Sequence, residues 1–197
     1  MKRTSKCEEP MIRKSISLRL LKLILLIVFM IGLSEDSALA ASMVRITDGD
    51  EWHYLKGVQP PPRYWNQNGF DDSAWLKGRS GFGYGNVSNR TFLEDMQGNY
   101  STVYARREFN INNMYVVTGM TMSVVCDGPF KAYVNGVEVI SSKNSLPEQL
   151  DIGGFIHELI PGSNVLSVEC TNDDINSKDF SFIPYFDVSE YQGGDVR

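Results

Sequence analysis

Apolar and polar side chains alternate along short runs of this chain with a period of two residues. Between positions 120 and 126 every second residue is Met, Val or Cys, and the run 166–170 repeats that spacing with Leu, Val and Cys. This alternation is typical of a strand that buries one face, because successive side chains of a strand point to opposite sides. After residue 40 we find no long segment with helical periodicity.

The pattern predicts a series of short strands, each closed by Gly, Asn, Asp or Pro. The predicted strands are 44–47, 51–55, 102–111, 116–126, 130–134, 137–141, 154–159, 164–171 and 180–188. Asn135 and Gly136 lie between two of them and tolerate the positive φ angles of a type I′ turn, so we expect a tight hairpin there. Many short antiparallel strands separated by turn residues predict an all-β sandwich or barrel.

The segment 56–101 interrupts this pattern, because it is rich in Gly, Asn, Pro and aromatic residues. A structureless loop of this length argues against a compact domain. We therefore expect its tryptophans and Phe70 to fold back over one edge of the sandwich as an ordered cap.

The first forty residues have the features of an export signal. Basic residues precede an uncharged apolar run at 23–33, and Ala38-Leu39-Ala40 supplies the small residues that signal peptidase requires. The run is too short to span a bilayer comfortably. We predict cleavage after Ala40, export to the periplasm or the extracellular space, and no stable membrane span afterwards. An uncleaved N-terminal anchor is the alternative.

The remaining residues, 41–197, have the length of a single domain with a substantial core. They contain 12 Lys and Arg residues against 20 Asp and Glu residues, a net charge of −8. A basic stripe for phosphate backbones is absent, so nucleic acid is not an expected partner. The acidic balance favours solubility and is compatible with cation binding.

Two cysteines, Cys126 and Cys170, remain after the leader, which contains Cys7. Both fall on the predicted inward faces of strands. The sequence leaves two alternatives open, a pair of buried free thiols and a disulfide across the core.

Two adjacent carboxylates, Asp71 and Asp72, form the most conspicuous candidate for chemistry. Carboxylates next to each other in sequence seldom converge on one bond, and the pairs of glycosidases come from separate strands. The favoured interpretation is that one of them caps the short turn 71–75, with Phe70 and Trp75 packing against each other. A cation site is the second interpretation, and acid–base catalysis is the third.

The stretch GFGYG at 81–85 resembles a phosphate-binding loop only superficially. It does not have the G-x-G-x-x-G spacing, no lysine follows it, and no helix begins after it. We interpret its glycines as positions that let the chain bend while Phe82 and Tyr84 pack.

The chain lacks a recognisable arrangement for catalysis. His53 and His157 are far apart, neither has metal-ligand spacing, and no G-x-S-x-G motif is present. We therefore predict that the protein is not an enzyme, with a small hydrolase as the remote alternative.

Arg106 and Arg107 occupy opposite faces of one predicted strand. One of them is expected to point toward the interior and to require a carboxylate partner, for which Asp127 and Glu169 are candidates. The arginine on the solvent side is available to bind sugar hydroxyls.

Five motifs in a fixed order resemble a known family. They are EWHYLKG, WNQNGFDDSAWLKGRSGFGYG, TVYARREFNI, CDGPFKAYVNGVEVI and GSNVLSVECTN, and the resemblance covers nearly all of 50–190. These motifs resemble the galactose-binding-like jelly-roll domain of exported bacterial proteins, as found at the N-terminus of β-galactosidases and in modules of sialate acetylesterases. The usual family strand reads D-D-G-x-x-V-Y-L-N-G, whereas this chain keeps only the second acid, Asp127, and adds Pro129.

The resemblance implies about eight strands in two sheets, often with bound calcium and often with glycan affinity, and it implies no fixed catalytic residue. We therefore expect an exported, non-catalytic module that binds carbohydrate, with a structural or assembly module bound only to a partner protein as the alternative. Candidate calcium ligands are Asp71, Asp72 and Asp127. The candidate sugar-binding residues, an aromatic platform with polar companions, are Trp65, Tyr84, Tyr100, Arg90, Asp95 and Asn99. Exposed aromatics would favour binding, and buried ones would favour a scaffold.

Overall fold

The computed structural model describes residues 41–86 and 88–191, and these residues form twelve β-strands. The strands are β1 (Ala41–Ile46), β2 (Glu51–Lys56), β3 (Leu76–Arg79), β4 (Phe82–Tyr84), β5 (Thr91–Phe92), β6 (Thr102–Ile111), β7 (Val117–Cys126), β8 (Phe130–Val134), β9 (Val137–Ser142), β10 (Leu146–Asp151), β11 (Gly162–Thr171) and β12 (Phe180–Glu190). The predicted signal peptide lies outside the described residues. Within the described ranges, no helix is long and apolar enough to cross a membrane.

The strands form two six-stranded sheets. The first sheet has the order β10-β7-β12-β4-β5, and β1 pairs with the remaining part of β12. The second sheet has the order β3-β2-β6-β11-β8-β9. The pairs are antiparallel apart from the short parallel pair β4–β5. The predicted all-β jelly-roll sandwich is confirmed.

The core lies between the two sheets and follows the two-residue alternation of the long strands. Phe182, Phe186 and Val188 of β12 and Met120 and Met122 of β7 are all completely buried. Each such side chain contributes roughly 1.5–3 kcal/mol by leaving water. The intervening residues of these strands point to the outer faces, where the side chains available for binding are found.

The central strand β12 contains a proline at the point where its partners change. Pro184 pairs with Val124 of β7 on one side. On the other side, β4 pairs with 180–182 and β1 pairs with 186–190, so this edge has a gap at Pro184. A residue without an N–H is tolerated at such a gap more readily than inside a continuous ladder.

The hairpin predicted at Asn135-Gly136 is confirmed, with φ angles of 51° and 95° at the two residues. Close packing also explains a glycine in the GFGYG stretch. A Cβ atom at Gly83 would lie 1.9 Å from the carbonyl oxygen of Phe180, so a side chain there would collide with the backbone of β12. The structure therefore agrees with the interpretation from the sequence that this stretch is part of the scaffold.

Two aspects of the strand prediction are wrong. The predicted strand 154–159 is a 3₁₀ turn, Gly153–Glu158. The strands β3, β4, β5 and β10 were not predicted. The first three are two to four residues long, too short to show a period. The strand β10 is an exposed edge strand with a proline and without apolar alternation.

A disulfide connects the two sheets. The Sγ atoms of Cys126 in β7 and Cys170 in β11 are 1.99 Å apart. Of the two alternatives left open by the sequence, free thiols and a cross-core disulfide, the structure has the disulfide.

The segment between β2 and β3 covers the outer face of the second sheet, not an edge of the sandwich as predicted. Trp65 packs on Tyr104 of β6 and Tyr133 of β8, with ring centroids 5.2 and 5.9 Å apart. Trp75 stacks on Trp65 at 6.1 Å, and Phe70 meets Trp75 at 5.9 Å. We call these five residues the outer aromatic layer. The segment lies there because β6 and β8 carry large aromatic side chains on their outer face, and burying them is favourable.

Candidate functional site

A buried arginine holds the covering segment on the second sheet. The side chain of Arg106 is completely buried, and its Nε donates to Oδ2 of Asp72 at 2.7 Å. Its terminal nitrogens donate to the backbone carbonyls of Trp65, Gln67 and Phe70. The guanidinium group therefore has a counterion and three carbonyl acceptors, which compensate for its removal from water.

Asp72 connects this arginine to a histidine. Its second carboxylate oxygen lies 2.6 Å from Nδ1 of His53. Burial raises the pKa of the Asp72 carboxyl, but the hydrogen bonds and charges of Arg106 and His53 outweigh burial and leave this pKa below its usual value. Asp72 is thus a structural carboxylate that organises the segment above it.

The prediction that Asp127 or Glu169 pairs with the inward arginine is wrong. Arg106 lies on the outer face of β6, beneath the covering segment, so its carboxylate partner comes from that segment. Arg107 has the inward parity, but it reaches the rim of the sandwich, where it donates to the carbonyl of Glu51 and lies 3.3 Å from Oδ1 of Asp50.

The three predicted calcium ligands do not converge. Asp71 is exposed and caps the turn by accepting from the backbone N–H of Ser73 at 3.0 Å, while Asp72 is engaged as described above. Asp127 lies beside the start of β12, where the backbone of Ser181 donates to its carboxylate. Among the described residues, no group of three or more His, Cys, Asp and Glu is placed to hold a metal ion. A calcium site stays a prediction of the resemblance.

The three aromatic residues predicted as a sugar platform are buried. Trp65, Tyr84 and Tyr100 have only 8%, 8% and 3% of their surface exposed. Trp65 belongs to the outer aromatic layer, and the hydroxyl of Tyr84 donates to the carbonyl of Ser177 at 2.9 Å. Packing takes precedence for such large side chains, so these residues form scaffold and not an exposed platform.

The predicted polar companions separate into two places. Asp95, Asn99 and Tyr100 are together in the turn after β5, where Asp95 accepts from the Tyr100 hydroxyl at 3.1 Å and its carbonyl accepts from the Asn99 amide at 2.8 Å. Arg90 is elsewhere and forms a bidentate pair with Asp48, at 3.0 and 2.7 Å. The sequence therefore did not identify one site with these residues.

A different set of side chains forms an open groove on the outer face of the first sheet. The groove has a volume of about 380 Å³, and its lining residues are Arg45, Thr47, Thr121, Gln149, Tyr185, Asp187 and Ser189. They come from β1, β7, β10, β12 and the turn after β1. We call this surface the Tyr185 face.

The polar side chains of the Tyr185 face are held in place by one another. Arg45, Asp187 and Thr121 lie directly opposite one another on β1, β12 and β7. Asp187 accepts from Nε of Arg45 and from Nε2 of Gln149, both at 3.0 Å. The hydroxyl of Thr121 donates to Oε1 of Gln149 at 3.4 Å. Donors and acceptors are thus arranged across four strands before any ligand arrives.

Tyr185 lies among these polar groups and is half-buried. Burial raises the pKa of its phenol, the carboxylate of Asp48 raises it further, and the charge of Arg90 opposes both effects. Neither Asp48 nor Arg90 lines the groove, so none of the sugar-binding residues predicted from the sequence belongs to the Tyr185 face.

The residues of the Tyr185 face were missed because the sequence analysis searched the long loops. A signal was present in β12, where Tyr185 and Asp187 occupy the positions that alternate with buried phenylalanines. The strands that flank β12 are decided by the topology of the sheet. The sequence alone therefore could not predict that Arg45 and Gln149 lie beside Tyr185 and Asp187.

A second polar pocket surrounds His53. It has a volume of about 400 Å³, and its lining residues are Glu51, His53, Asp72, Arg106, Arg107 and Glu108. A carboxylate beside Nδ1 also orients the histidine of hydrolase triads. These six lining residues include no Ser, Thr or Cys, so the pocket walls do not supply a nucleophile of the usual kind.

Comparison with known proteins gives matches at the level of structure. No family model matches the sequence, and no significant match was found among curated proteins. A glycosyl hydrolase family 2 member from Bacteroides cellulosilyticus matches 73% of this chain and 20% of its own, with 13% identity and a TM-score of 0.53. A β-glucuronidase from Bacteroides uniformis matches 74% of this chain and 18% of its own, with 16% identity and a TM-score of 0.50.

A β-glucuronidase from an uncultured Clostridium species matches 77% of this chain and 30% of its own, with 14% identity and a TM-score of 0.50. At such identities the likeness concerns the fold. This chain spans about a fifth of the length of the first solved chains it matches. The resemblance inferred from the sequence is confirmed at the level of the fold: the chain is a β-sandwich that is similar to part of much longer glycoside hydrolase chains.

Proposed function

We propose that this chain is a non-catalytic carbohydrate-binding module and that the Tyr185 face binds the sugar. The observation that carries the proposal is the combination of a half-exposed tyrosine with a fixed Arg45–Asp187–Gln149 network on an open sheet face. Sugars present apolar C–H faces and hydroxyl groups, and they are recognised by an aromatic ring together with planar polar groups. The solved chains of similar fold belong to enzymes that act on glycosides, which supports this class of ligand.

The ligand of this face is a neutral saccharide chain. The cation among its lining residues, Arg45, is paired with the carboxylate of Asp187, so these residues offer no unpaired charge to attract an ion. An open groove crossing several strands also suits an extended chain better than an isolated small molecule.

We also propose that the module acts outside the cytoplasm, after cleavage behind Ala40. The basic and apolar pattern of the first forty residues supports export. The Cys126–Cys170 disulfide supports it independently, because structural disulfides persist in oxidising compartments.

Binding is tested with the purified chain, neutral polysaccharides in affinity gels, and neutral hexasaccharides in isothermal titration calorimetry. Tyr185→Ala and Asp187→Asn are each expected to lower the affinity about ten-fold or more, which corresponds to about 1.4 kcal/mol. Tyr185→Phe keeps the ring and is expected to retain most of the affinity. Tyr115→Ala is the matched control, because Tyr115 is a fully exposed tyrosine in a 3₁₀ turn and does not belong to the Tyr185 face.

The proposal fails if no neutral saccharide is retained by the gels, or if Tyr185→Ala binds like the unaltered chain. Turnover of a glycoside or ester panel that is abolished by His53→Ala would contradict the non-catalytic assignment.

An assembly module is the second candidate function. Tyr115 is completely exposed and Tyr191 is 57% exposed. They lie at the same end of the sandwich, where the Tyr191 N–H donates to the carbonyl of Val116 at 2.8 Å. Two exposed aromatics at one end favour a protein contact. Loss of a co-purifying partner in Tyr115→Ala, with unchanged sugar binding, would support this function.

A further inference from the structure

The outer face of the second sheet contains a groove that the proposed sugar site does not use. Its volume is about 420 Å³, and its polar lining residues are Lys131, Ser141, Ser142, Lys143, Glu169 and Thr171. They come from β8, β9 and β11 and from the turn after β9. We call this surface the Glu169 groove.

The centre of the groove is built on a continuous cross-strand row. Tyr104, Glu169, Lys131 and Ser141 lie directly opposite one another on β6, β11, β8 and β9. Tyr104 belongs to the outer aromatic layer, so one end of the row is covered and the other is open. The pairing of four adjacent strands fixes the backbone positions of these residues and places their side chains next to one another.

The charge of Glu169 is already compensated within the groove. Nζ of Lys131 lies 3.5 Å from its carboxylate, and the hydroxyl of Tyr133 is hydrogen-bonded to it. Burial, together with the Glu169 charge, raises the pKa of Tyr133, so this hydroxyl keeps its proton and continues to donate.

Lys143 is the second cation of the groove. It forms no ion pair within the part of the chain that the structure describes, and it is exposed at the wall of the groove. With Lys131 paired to Glu169, the groove has a net charge of about +1 on a domain that has a net charge of −8. A concave surface of this sign attracts an anionic group locally.

The remaining wall groups are hydroxyls that suit a sugar. Ser141, Ser142 and Thr171 each offer one donor and two acceptor positions. We propose that the Glu169 groove is a second saccharide site, which binds a carboxylated sugar with its carboxylate on Lys143 and its hydroxyls on Glu169 and the neighbouring Ser and Thr side chains. The saccharide class rests on the proposed function, whereas the site shares no residue with the Tyr185 face.

The two sites face in opposite directions, because they lie on the outer faces of two packed sheets. One short oligosaccharide therefore cannot occupy both. The module is expected to bridge a neutral and an acidic glycan chain, and bridging raises the overall avidity without any new contact.

The test uses the purified chain with polygalacturonate and with the same polymer after reduction of its carboxyl groups to alcohols. We expect binding to polygalacturonate, weakening with added salt, and about ten-fold weaker binding to the reduced polymer. Lys143→Met is expected to lower the affinity for polygalacturonate about ten-fold and to leave neutral hexasaccharide binding unchanged. Lys77→Met, at an exposed position on β3, is the matched control and is expected to change neither affinity.

A parallel titration with sialyllactose distinguishes binding of a terminal acidic sugar from binding of a uronate chain. Binding of either ligand supports the proposed site if it is weakened by Lys143→Met. Equal binding of the native and reduced polymers overturns the inference while the Tyr185 face can still bind neutral sugars. The inference is also overturned if dextran sulfate binds as tightly as polygalacturonate, or if Lys143→Met has an unchanged affinity for polygalacturonate. Melting temperatures of all variants exclude misfolding, and Lys143→Arg is expected to keep the affinity.

Discussion

Two carboxylates of this chain have opposite electrostatic surroundings. Asp72 faces Arg106 and His53, which lower its pKa in spite of burial. Asp127 is partly buried near Asp173 and Asp179, and burial followed by these negative charges raises its pKa in spite of a hydrogen bond from Ser181. The sequence presents both as acids next to turns. Their effects on stability are opposite.

Asp72→Asn is expected to destabilise the protein at neutral pH and to have little effect at acid pH. Because the pKa of Asp72 is lower in the folded chain than in the unfolded chain, its contribution is complete above the unfolded pKa and is lost as the pH falls through the folded pKa. Urea unfolding at pH 7 and at pH 2.5 measures this difference. A loss of stability of equal size at both pH values would contradict the argument.

Asp127→Asn is expected to raise the melting temperature at neutral pH. A raised pKa means that the folded chain holds the ionised carboxylate less favourably than the unfolded chain does, so ionisation destabilises the fold above the unfolded pKa. The amide oxygen of Asn can still accept from Ser181. Thermal unfolding between pH 3 and pH 8 checks this prediction, and the gain in melting temperature from Asp127→Asn should become smaller at low pH. A lower melting temperature at pH 7 would show that the carboxylate is needed.

Among the larger elements, the segment between β2 and β3 shows how one side chain can position many residues. The segment forms no strand before β3. Arg106 donates hydrogen bonds to three of its backbone carbonyls and to the carboxylate of Asp72. The outer aromatic layer supplies the apolar part of the attachment. The sequence predicted an ordered cap here correctly, but it did not reveal the surface on which the cap lies.

Arg106→Met is expected to detach this segment and to cost about 3–5 kcal/mol of unfolding free energy, because it removes the cation that pairs with the partly buried Asp72 and donates to three carbonyls of the segment. Limited trypsin digestion should then cut after the exposed Arg63 faster than in the unaltered chain. Arg107→Met removes a quarter-exposed arginine from the same strand and serves as the control. Equal protection of Arg63 in both variants would show that the aromatic contacts suffice.

In the molecule as a whole, the disulfide is the covalent link between the two layers of the sandwich. It joins β7 of the first sheet to β11 of the second sheet, neither of them an edge strand, across a sequence separation of 44 residues. A cross-link of this loop length restricts the unfolded chain substantially.

Replacing both cysteines with alanine is expected to lower the unfolding free energy by about 4 kcal/mol, the value that loop closure of this length gives. The sandwich should still fold, since its core is large. Denaturant unfolding with and without a reducing agent measures this, and the reduced unaltered chain should match the double variant. Unchanged stability on reduction would mean that the bond does not constrain the unfolded state.

The amino-acid order determined the layers of this protein, because the two-residue alternation and the Asn-Gly turn act locally and need no partner to be recognised. It also predicted the kind of chemistry that we propose for the sugar site, an aromatic ring with Asp and Arg. It assigned that chemistry to Trp65, Tyr84 and Tyr100, which packing buries. Only the tertiary structure decided which outward side chains meet, because the neighbours of Tyr185 and Glu169 come from strands far away in the chain, and strand pairing is a collective result of burial and register.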